Sequence, residues 1–218
     1  MKLYTYFRSS TAYRVRIALN LKGLSYEAVP MHLLTGGGAH LQDDYRALNP
    51  SAALPTLIDG EGDGAVTLTQ SMAIIEYLDE VYPQPPLMPS DALGRARVRA
   101  LAQMVACDTH PLTNLRVLRH LVREYQVSDD AKTAWYVHWL KEGMAPLEAR
   151  LARSSDTGRF CHGDTPTLAD CCLVPQVYNA ERFHVDMCAY PTIARIHANC
   201  AALPAFAAAH PSRQPDSE

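Results

Sequence analysis

The sequence predicts a small α/β domain followed by an all-helical domain. Residues 1–82 alternate short strand patterns with helical patterns, whereas only helical patterns follow from Ala92 onward. Between them lies the stretch YPQPPLMP, and a helix cannot continue through its four prolines. We therefore predict domains at residues 1–82 and 92–218, joined by a linker at residues 83–91.

The first domain begins with a β-α-β pattern. Residues 2–7 alternate polar and apolar side chains as a strand does, and residues 11–22 carry apolar side chains at helical spacing. Gly23 supplies the stop signal of that helix. Residues 26–31 are predicted as the second strand, and a weaker helical stretch follows near residues 41–48.

A β-β-α pattern completes this domain. Residues 54–58 and 65–68 read as strands on either side of DGEGDG, whose glycines permit the positive backbone angles of tight turns. Ser71 is predicted to cap a helix over residues 72–82.

The second domain is predicted to contain helices only. Thr167 and Asp170 form a variant of the capping box, which marks the start of one helix. The terminal stretch HPSRQPDSE shows no helical pattern and is predicted to be unstructured. The predicted helices cover residues 95–123, as one helix or a kinked pair, and residues 131–152, 167–179 and 190–203.

The composition excludes several classes of protein. A formal net charge of -3 does not favour binding to nucleic acid. The N-terminus lacks the pattern of a secretory signal, and no apolar run approaches the ~20 residues of a membrane span, so we expect a cytoplasmic protein. The cysteines form no C-x-x-C pair and predict neither a disulfide nor a metal site; they are Cys107, Cys161, Cys171, Cys172, Cys188 and Cys200.

Five stretches resemble one known family. The stretch SSTAYRVRIALNLKG is similar to the zeta-class signature of the glutathione transferases, in which S-S-C precedes R-V-R-I-A-L. The stretches ALNPSAALPTL, LTQSMAIIEYLDE, GDTPTLADCCLVPQVYNAERF and RQPDS match the same class in the same order. The resemblance spans essentially the whole chain and implies a thioredoxin-like first domain, an all-α second domain and a homodimer.

The resemblance also implies an activity, the cis-trans isomerisation of a maleyl-keto acid with glutathione as cofactor. The preferred substrate is maleylacetoacetate, from tyrosine and phenylalanine breakdown, because the Gly36-Gly37-Gly38 loop and NAERFHVD look closer to that group. Maleylpyruvate, from gentisate breakdown, is the alternative substrate.

Such a reaction needs a thiolate, since a double bond rotates only after a nucleophile has added to it. A thiol has a pKa of about 8.5 and needs stabilisation to ionise at neutral pH. Ser9, Ser10 and Thr11 stand at the predicted strand-to-helix turn, where hydroxyl donors and the helix dipole favour an anion. The resemblance assigns the thiolate to Ser10, with Ser9 and Thr11 beside it. Thr11 replaces the usual cysteine of the motif.

The resemblance also assigns residues that bind the cofactor. Leu54 precedes the proline that is cis in the family, and its backbone would meet the cysteinyl unit of glutathione. Gln70 and Ser71 match the pair that holds the γ-glutamyl carboxylate, at a predicted helix start that suits an anion. His40, or alternatively Ser51, is assigned to the glycyl carboxylate.

The remaining assignments concern the helical domain and the substrate. His110 and Asn114 are four residues apart on one predicted helical face and are assigned contacts with glutathione. Arginine binds carboxylates through two parallel hydrogen bonds. The resemblance accordingly assigns the dicarboxylate substrate to Arg8, Arg116 and Arg182.

Two further functions use the same fold. A transferase or reductive dehalogenase acting on small halo acids or chlorinated hydroquinones would use the same thiolate, but Thr11 stands where aromatic dehalogenation needs a free cysteine. A non-enzymatic binding protein would be indicated by loss of the thiol-binding residues. Ser9, Ser10, Gln70 and Ser71 are all present.

Overall fold

The computed structural model describes residues 1–218 and divides into two compact units. The first unit contains Met1–Leu87 together with Ala201–Glu218, and the second contains Met88–Cys200. Residues 201–218 are predicted as the end of the helical domain, whereas in the structure they pack with the α/β unit. The packing of this segment explains the difference.

The C-terminal segment is ordered in the structure, contrary to the prediction for its last residues. Helix α10, Pro204–Ala209, packs on the first helix of the α/β unit. Phe206 is buried, Asn20 donates to the Ala205 carbonyl at 3.0 Å, and Gln214 donates to two carbonyls at 2.9 Å. The bond from Asn20 joins residues that are 185 positions apart, which local periodicity cannot reveal.

The α/β unit contains a four-stranded sheet in the order β2-β1-β3-β4. Strand β1 pairs in parallel with β2 and antiparallel with β3, which pairs antiparallel with β4. This is the β-α-β, β-β-α order that the sequence predicts. The elements are β1 (Lys2–Thr5), α1 (Ser10–Leu21), β2 (Glu27–Pro30), α2 (Asp43–Leu48), β3 (Thr56–Asp59), β4 (Val66–Thr69) and α3 (Ser71–Val81).

Helix α1 forms the centre of this unit. It begins at Ser10 after the N-cap Ser9, and its residues from Ala12 to Leu19 are all buried, including Arg14 and Arg16. The helix contacts both α3 and α10. Residues at the start of α1 are therefore held by packing along the rest of the helix.

The second unit is helical throughout, as predicted. Its elements are α4 (Ala92–Gln103), α5 (His110–Thr113), α6 (Leu115–Tyr125), α7 (Asp129–Arg153), α8 (Leu168–Arg182) and α9 (Pro191–Ala201, whose last residue belongs to the first unit). Helices α4 and α8 pack against each other. The combination of an α/β unit and an all-α unit confirms the predicted fold class.

Of the two alternatives for residues 95–123, one helix or a kinked pair, the structure rules out the single helix and shows an interrupted run of helices. A π-helix, Met104–Thr109, follows α4, and the short α5 carries Pro111 in its first turn. The Thr109 hydroxyl donates to the Met104 carbonyl at 3.0 Å. Proline lacks the N–H that would continue the ladder, and π-helices frequently lie at functional sites.

The capping box at the start of α8 forms as predicted. Thr167 is the N-cap, and the Asp170 carboxylate accepts from the Thr167 backbone N–H and hydroxyl, each at 2.8 Å. A third donor, the Cys161 backbone N–H, also lies 2.8 Å from Asp170. None of the helices combines the length and apolar character needed to span a membrane.

Candidate active site

Three hydroxyl side chains surround the start of α1. The Ser9 hydroxyl oxygen accepts from the Ala12 backbone N–H at 3.3 Å, so Ser9 caps the helix. Ser10 is the first helical residue, one position earlier than predicted, and Thr11 follows. The positive end of the helix dipole lies at this turn and favours a bound anion.

The hydrogen bonds of this turn have a definite direction. The Thr11 hydroxyl donates to the Leu54 carbonyl at 2.9 Å, which uses its single proton. Ser9 and Thr11 hydroxyls lie 3.0 Å apart, so Ser9 must be the donor in that pair. The protons of Ser9 and Thr11 are both engaged within the protein.

The Leu54–Pro55 peptide bond is cis, as the family resemblance implies. Its loop is braced by Tyr45, whose hydroxyl donates to the Ala53 carbonyl at 2.8 Å, and by buried Asn49, which donates to the same carbonyl at 2.7 Å. The Thr11 contact therefore attaches the start of α1 to a rigid loop.

Gln70 and Ser71 lie at the start of α3, but their roles in the helix differ from the prediction. Ser71 is the first helical residue, and Gln70 is the N-cap, with a φ of 69°. This left-handed conformation is rarely adopted by residues with a side chain. Ser71 is buried, and its hydroxyl contacts the Arg14 guanidinium at 3.3 Å. Arg14 was not among the predicted site residues, because nothing in the sequence pattern separates it from a surface arginine.

His40 lies in the loop between β2 and α2. Its side chain is 8% exposed and packs against Gly38. A Cβ on Gly38 would lie 2.6 Å from the His40 ring, and the φ of 101° at Gly38 also favours glycine. The absence of a side chain at Gly38 thus leaves space for the His40 ring. Ser51, the alternative to His40, donates to the Asn49 side-chain oxygen at 2.6 Å.

Arg8 follows β1 in the same unit as the hydroxyl turn. Its Nη2 donates to the Tyr6 hydroxyl at 2.9 Å, and its guanidinium lies 4.9 Å from the Phe7 ring centroid. The C-terminal tail also reaches this region, since Asp216 accepts from the Phe7 N–H at 2.9 Å and a Glu218 oxygen lies 3.9 Å from Arg8 Nη2. These contacts of the tail were not predicted from the sequence.

His110 and Asn114 belong to the second unit and contact each other, with 3.4 Å between His110 Nε2 and Asn114 Nδ2. They do not share one continuous helical face as predicted, because Asn114 has extended backbone angles and caps α6. Its side-chain oxygen accepts from the Arg116 N–H at 2.9 Å. The break between α5 and α6 lies at Asn114 itself, so His110 and Asn114 do not belong to one continuous helix.

Arg116 and Arg182 are exposed, at the start of α6 and the end of α8. The Arg182 guanidinium lies 5.3 Å from the Phe183 ring centroid, and Phe183 stacks on Tyr136 with centroids 3.8 Å apart. Burial raises the pKa of Tyr136 to about 12, so its phenol stays protonated at neutral pH. Arg182 therefore packs on Phe183, which is itself held by stacking on Tyr136.

The structure thus divides the candidate residues between the two units. Helix α1 contacts Leu54 through Thr11 and Ser71 through Arg14, which connects three of the predicted cofactor-binding stretches. The first unit contains Arg8, Ser9, Ser10, Thr11, His40, Leu54, Gln70 and Ser71, and the second contains His110, Asn114, Arg116 and Arg182.

A mixed sheet in this order, a first helix that begins with hydroxyl side chains and an adjacent cis proline define a thioredoxin-like domain of the glutathione transferase type. The chain belongs to the glutathione S-transferase family. Residues 3–86 match the family model for the glutathione S-transferase N-terminal domain, and residues 140–212 match that for the C-terminal domain. The resemblance stated from the sequence is confirmed.

Within that family the similarity is to zeta-class isomerases. The chain is 51% identical over 215 residues to a probable maleylacetoacetate isomerase of Vibrio cholerae, covering 99% of this chain and 97% of the relative. It is also 50% identical to a maleylpyruvate isomerase of Ralstonia sp., with 100% of both chains covered.

Solved structures give the same relationship. A holo maleyl pyruvate isomerase, described as a bacterial glutathione S-transferase of the zeta class, matches with a TM-score of 0.94, 50% identity and full coverage of both chains. A maleylacetoacetate isomerase of Methylobacterium extorquens AM1, solved with malonate and glutathione bound, matches with a TM-score of 0.94, 44% identity and full coverage of both chains.

Proposed function

We propose that the protein is a glutathione-dependent cis-trans isomerase of a maleyl-keto acid, with maleylacetoacetate as the preferred substrate. The proposal rests on the hydroxyl turn at the start of α1, where Ser9 and Thr11 are engaged with each other and with Leu54. That turn can stabilise a thiolate but contains no cysteine that could exchange a disulfide. The isomerase names of the relatives support the same reaction.

The residues of the first unit fit glutathione, which is a flexible peptide with two carboxylates. The start of α3 offers a helix N-terminus with a buried arginine beneath it, which suits the γ-glutamyl carboxylate. The loop at Leu54 offers backbone groups to an extended peptide. We assign Gln70 and Ser71 to the γ-glutamyl carboxylate and His40 to the glycyl carboxylate.

Bound glutathione would supply a thiolate, whose addition turns the conjugated double bond into a single bond that can rotate. Expulsion of the same thiolate then restores the double bond as trans and regenerates the cofactor. Ser10 holds this thiolate by a hydrogen bond at the positive end of α1. Ser9 caps the helix, and Thr11 fixes the turn to Leu54. The substrate carboxylates are bound by Arg8, Arg116 and Arg182, and we assign His110 and Asn114 to contacts with glutathione from the helical unit.

A single assay tests this function. Purified protein is mixed with maleylacetoacetate, or with maleylpyruvate, and the absorbance of the acid is followed with and without glutathione. We expect turnover only with glutathione, and a higher kcat/KM for maleylacetoacetate. Turnover without glutathione would overturn the mechanism. A higher kcat/KM for maleylpyruvate would favour the second substrate, which the full-length similarity to the Ralstonia enzyme supports.

We predict that Arg182→Ala raises KM for the dicarboxylate about 10-fold with little change in kcat, since a hydrogen bond between charged groups contributes about 1.5–3 kcal/mol. The matched control is Arg153→Ala, an exposed arginine at the end of α7 in the same unit. The measurement compares KM for the dicarboxylate with KM for a neutral acceptor. An equal rise for both acceptors would show that Arg182 does not bind a carboxylate.

We further propose a homodimer in the cytoplasm. All six cysteines are free thiols, as is usual in a reducing compartment. Large apolar side chains remain exposed in each unit, including Leu93 at 83% and Val81 at 49%, which suits burial against a second copy. Light scattering of the purified protein measures the mass directly, and a monomeric mass would contradict the dimer.

A further inference from the structure

The first unit buries three cationic side chains, and two of them are fully supplied with acceptors. Arg16 is 0% exposed and donates to the carbonyls of Tyr6, Phe7 and Ala209 at 3.0–3.3 Å. Lys22 forms an ion pair with Asp79 at 2.8 Å and donates to two carbonyls. These two cations have the partners that buried charges require.

Arg14 is different. Its side chain is 2% exposed, its Nη1 contacts the Ser71 hydroxyl at 3.3 Å, and its Nε has no hydrogen-bond partner. No carboxylate of the chain forms an ion pair with it. A buried guanidinium with a single neutral contact is costly to keep, because neither water nor a counter-ion compensates its charge.

The contact of Arg14 lies at the start of α3. Ser71 is the first residue of this 11-residue helix, so Arg14 adds a full positive charge to the positive end of the helix dipole. The charge of Arg14 and the dipole of α3 are therefore both positive at Ser71. The Ser71 hydroxyl accepts from Arg14, so its own proton is directed elsewhere and can be donated to an anion.

The backbone before Ser71 is also unusual. Gln70 has a φ of 69° and makes no side-chain capping bond to α3. Such a conformation is unfavourable for glutamine and persists where the surrounding structure enforces it. A carboxylate at this point would compensate the positive charge of Arg14.

From these observations we infer that Arg14 is the buried counter-charge for a ligand carboxylate bound at the start of α3, and that it acts through Ser71. The inference rests on the proposed function for the identity of the ligand, the γ-glutamyl α-carboxylate of glutathione. Arg14 is then a positioning residue that selects thiols carrying this carboxylate. Its charge remains unpaired in the protein alone and is compensated when the ligand binds.

The experiment measures binding and does not depend on activity. Calorimetry compares glutathione with the analogue in which 4-aminobutanoyl replaces the γ-glutamyl group, which removes only the α-carboxylate. We expect Arg14→Met to weaken glutathione about 10-fold and to change the affinity for the analogue less than about 2-fold, while Arg14→Lys recovers most of the loss. The control is Arg213→Met, an exposed arginine of the same unit.

Thermal unfolding separates this inference from a purely structural role. Without glutathione, Arg14→Met is expected to unfold at the same temperature as the parent protein or higher, because it removes an uncompensated buried charge. The stabilisation gained on adding glutathione should shrink. Equal weakening of glutathione and the analogue, or a large loss of stability without ligand, would overturn the inference.

Failure of a variant to fold and failure of the protein to bind glutathione have separate consequences for the inference. If Arg14→Met does not fold, Arg14→Gln repeats the measurement, and failure of both to fold would show that Arg14 is needed for the fold itself. If the parent protein does not bind glutathione, the proposed function fails first. If it binds glutathione and Arg14→Met binds equally well, only the role of Arg14 fails.

Discussion

Replacing Asp170 with alanine is expected to lower the free energy of unfolding by about 4 kcal/mol, because each buried donor left without a partner costs about 1–3 kcal/mol. Asp170 is fully buried and accepts from the backbone N–H groups of Cys161 and Thr167 and from the Thr167 hydroxyl. Burial raises the pKa of Asp170, and these donors oppose the rise. The substitution leaves two buried N–H groups unsatisfied.

Urea denaturation of the variant measures this loss. The matched control is Asp164→Ala, which removes an exposed carboxylate that accepts from only one backbone group, the Arg159 N–H at 2.9 Å. We expect the control to lose less than about 1 kcal/mol. Similar losses in both variants would show that the capping box at α8 does not stabilise the second unit more than an ordinary surface turn.

The order of elements could be predicted because the relevant signals are local. Strand alternation, helical spacing and turn glycines lie within short windows, so β1 to α3 were all expected within a few residues of their observed bounds. The order of the segment from Pro204 to Glu218 could not be predicted, since it depends on contacts with Asn20 and Phe7, which lie 185 and 209 positions before their partners in the chain.

The candidate site was predicted less completely than the fold. The family resemblance indicated the hydroxyl turn and the cis proline, but it could not give the direction of hydrogen bonds between side chains. Both Arg14 and Arg16 would be read as surface arginines from the sequence, yet the structure shows that both are buried and that their partners differ. Burial of a charge has no signature in local sequence.

The hydrogen-bond directions at the start of α1 also bear on which hydroxyl holds the thiolate. Thr11 donates to Leu54, and Ser9 donates to Thr11 while it caps the helix. A hydroxyl has one proton, so neither residue can also donate to sulfur without breaking a bond that shapes the turn. The assignment of the thiolate to Ser10 therefore rests on the family resemblance.

We therefore expect Ser10→Ala to lower kcat/KM about 10- to 100-fold, since a hydrogen bond to a charged group contributes about 1.5–3 kcal/mol and about 1.4 kcal/mol changes a rate tenfold. The same loss should raise the pKa of the bound glutathione thiol by about 1 to 2 units. Ultraviolet absorbance of the thiolate, followed against pH in the complex, measures this pKa without turnover.

Two comparison variants make the Ser10 experiment specific. Ser25→Ala removes an exposed hydroxyl beyond the end of α1 and is expected to change neither the thiol pKa nor kcat/KM. Ser9→Ala removes the helix cap and should lower stability by about 1 kcal/mol, with a smaller rise in thiol pKa than Ser10→Ala. If Ser9→Ala instead raised the pKa more than Ser10→Ala did, the bond from Ser9 to Thr11 would have to open in the complex, and Ser9 would be the residue that stabilises the thiolate.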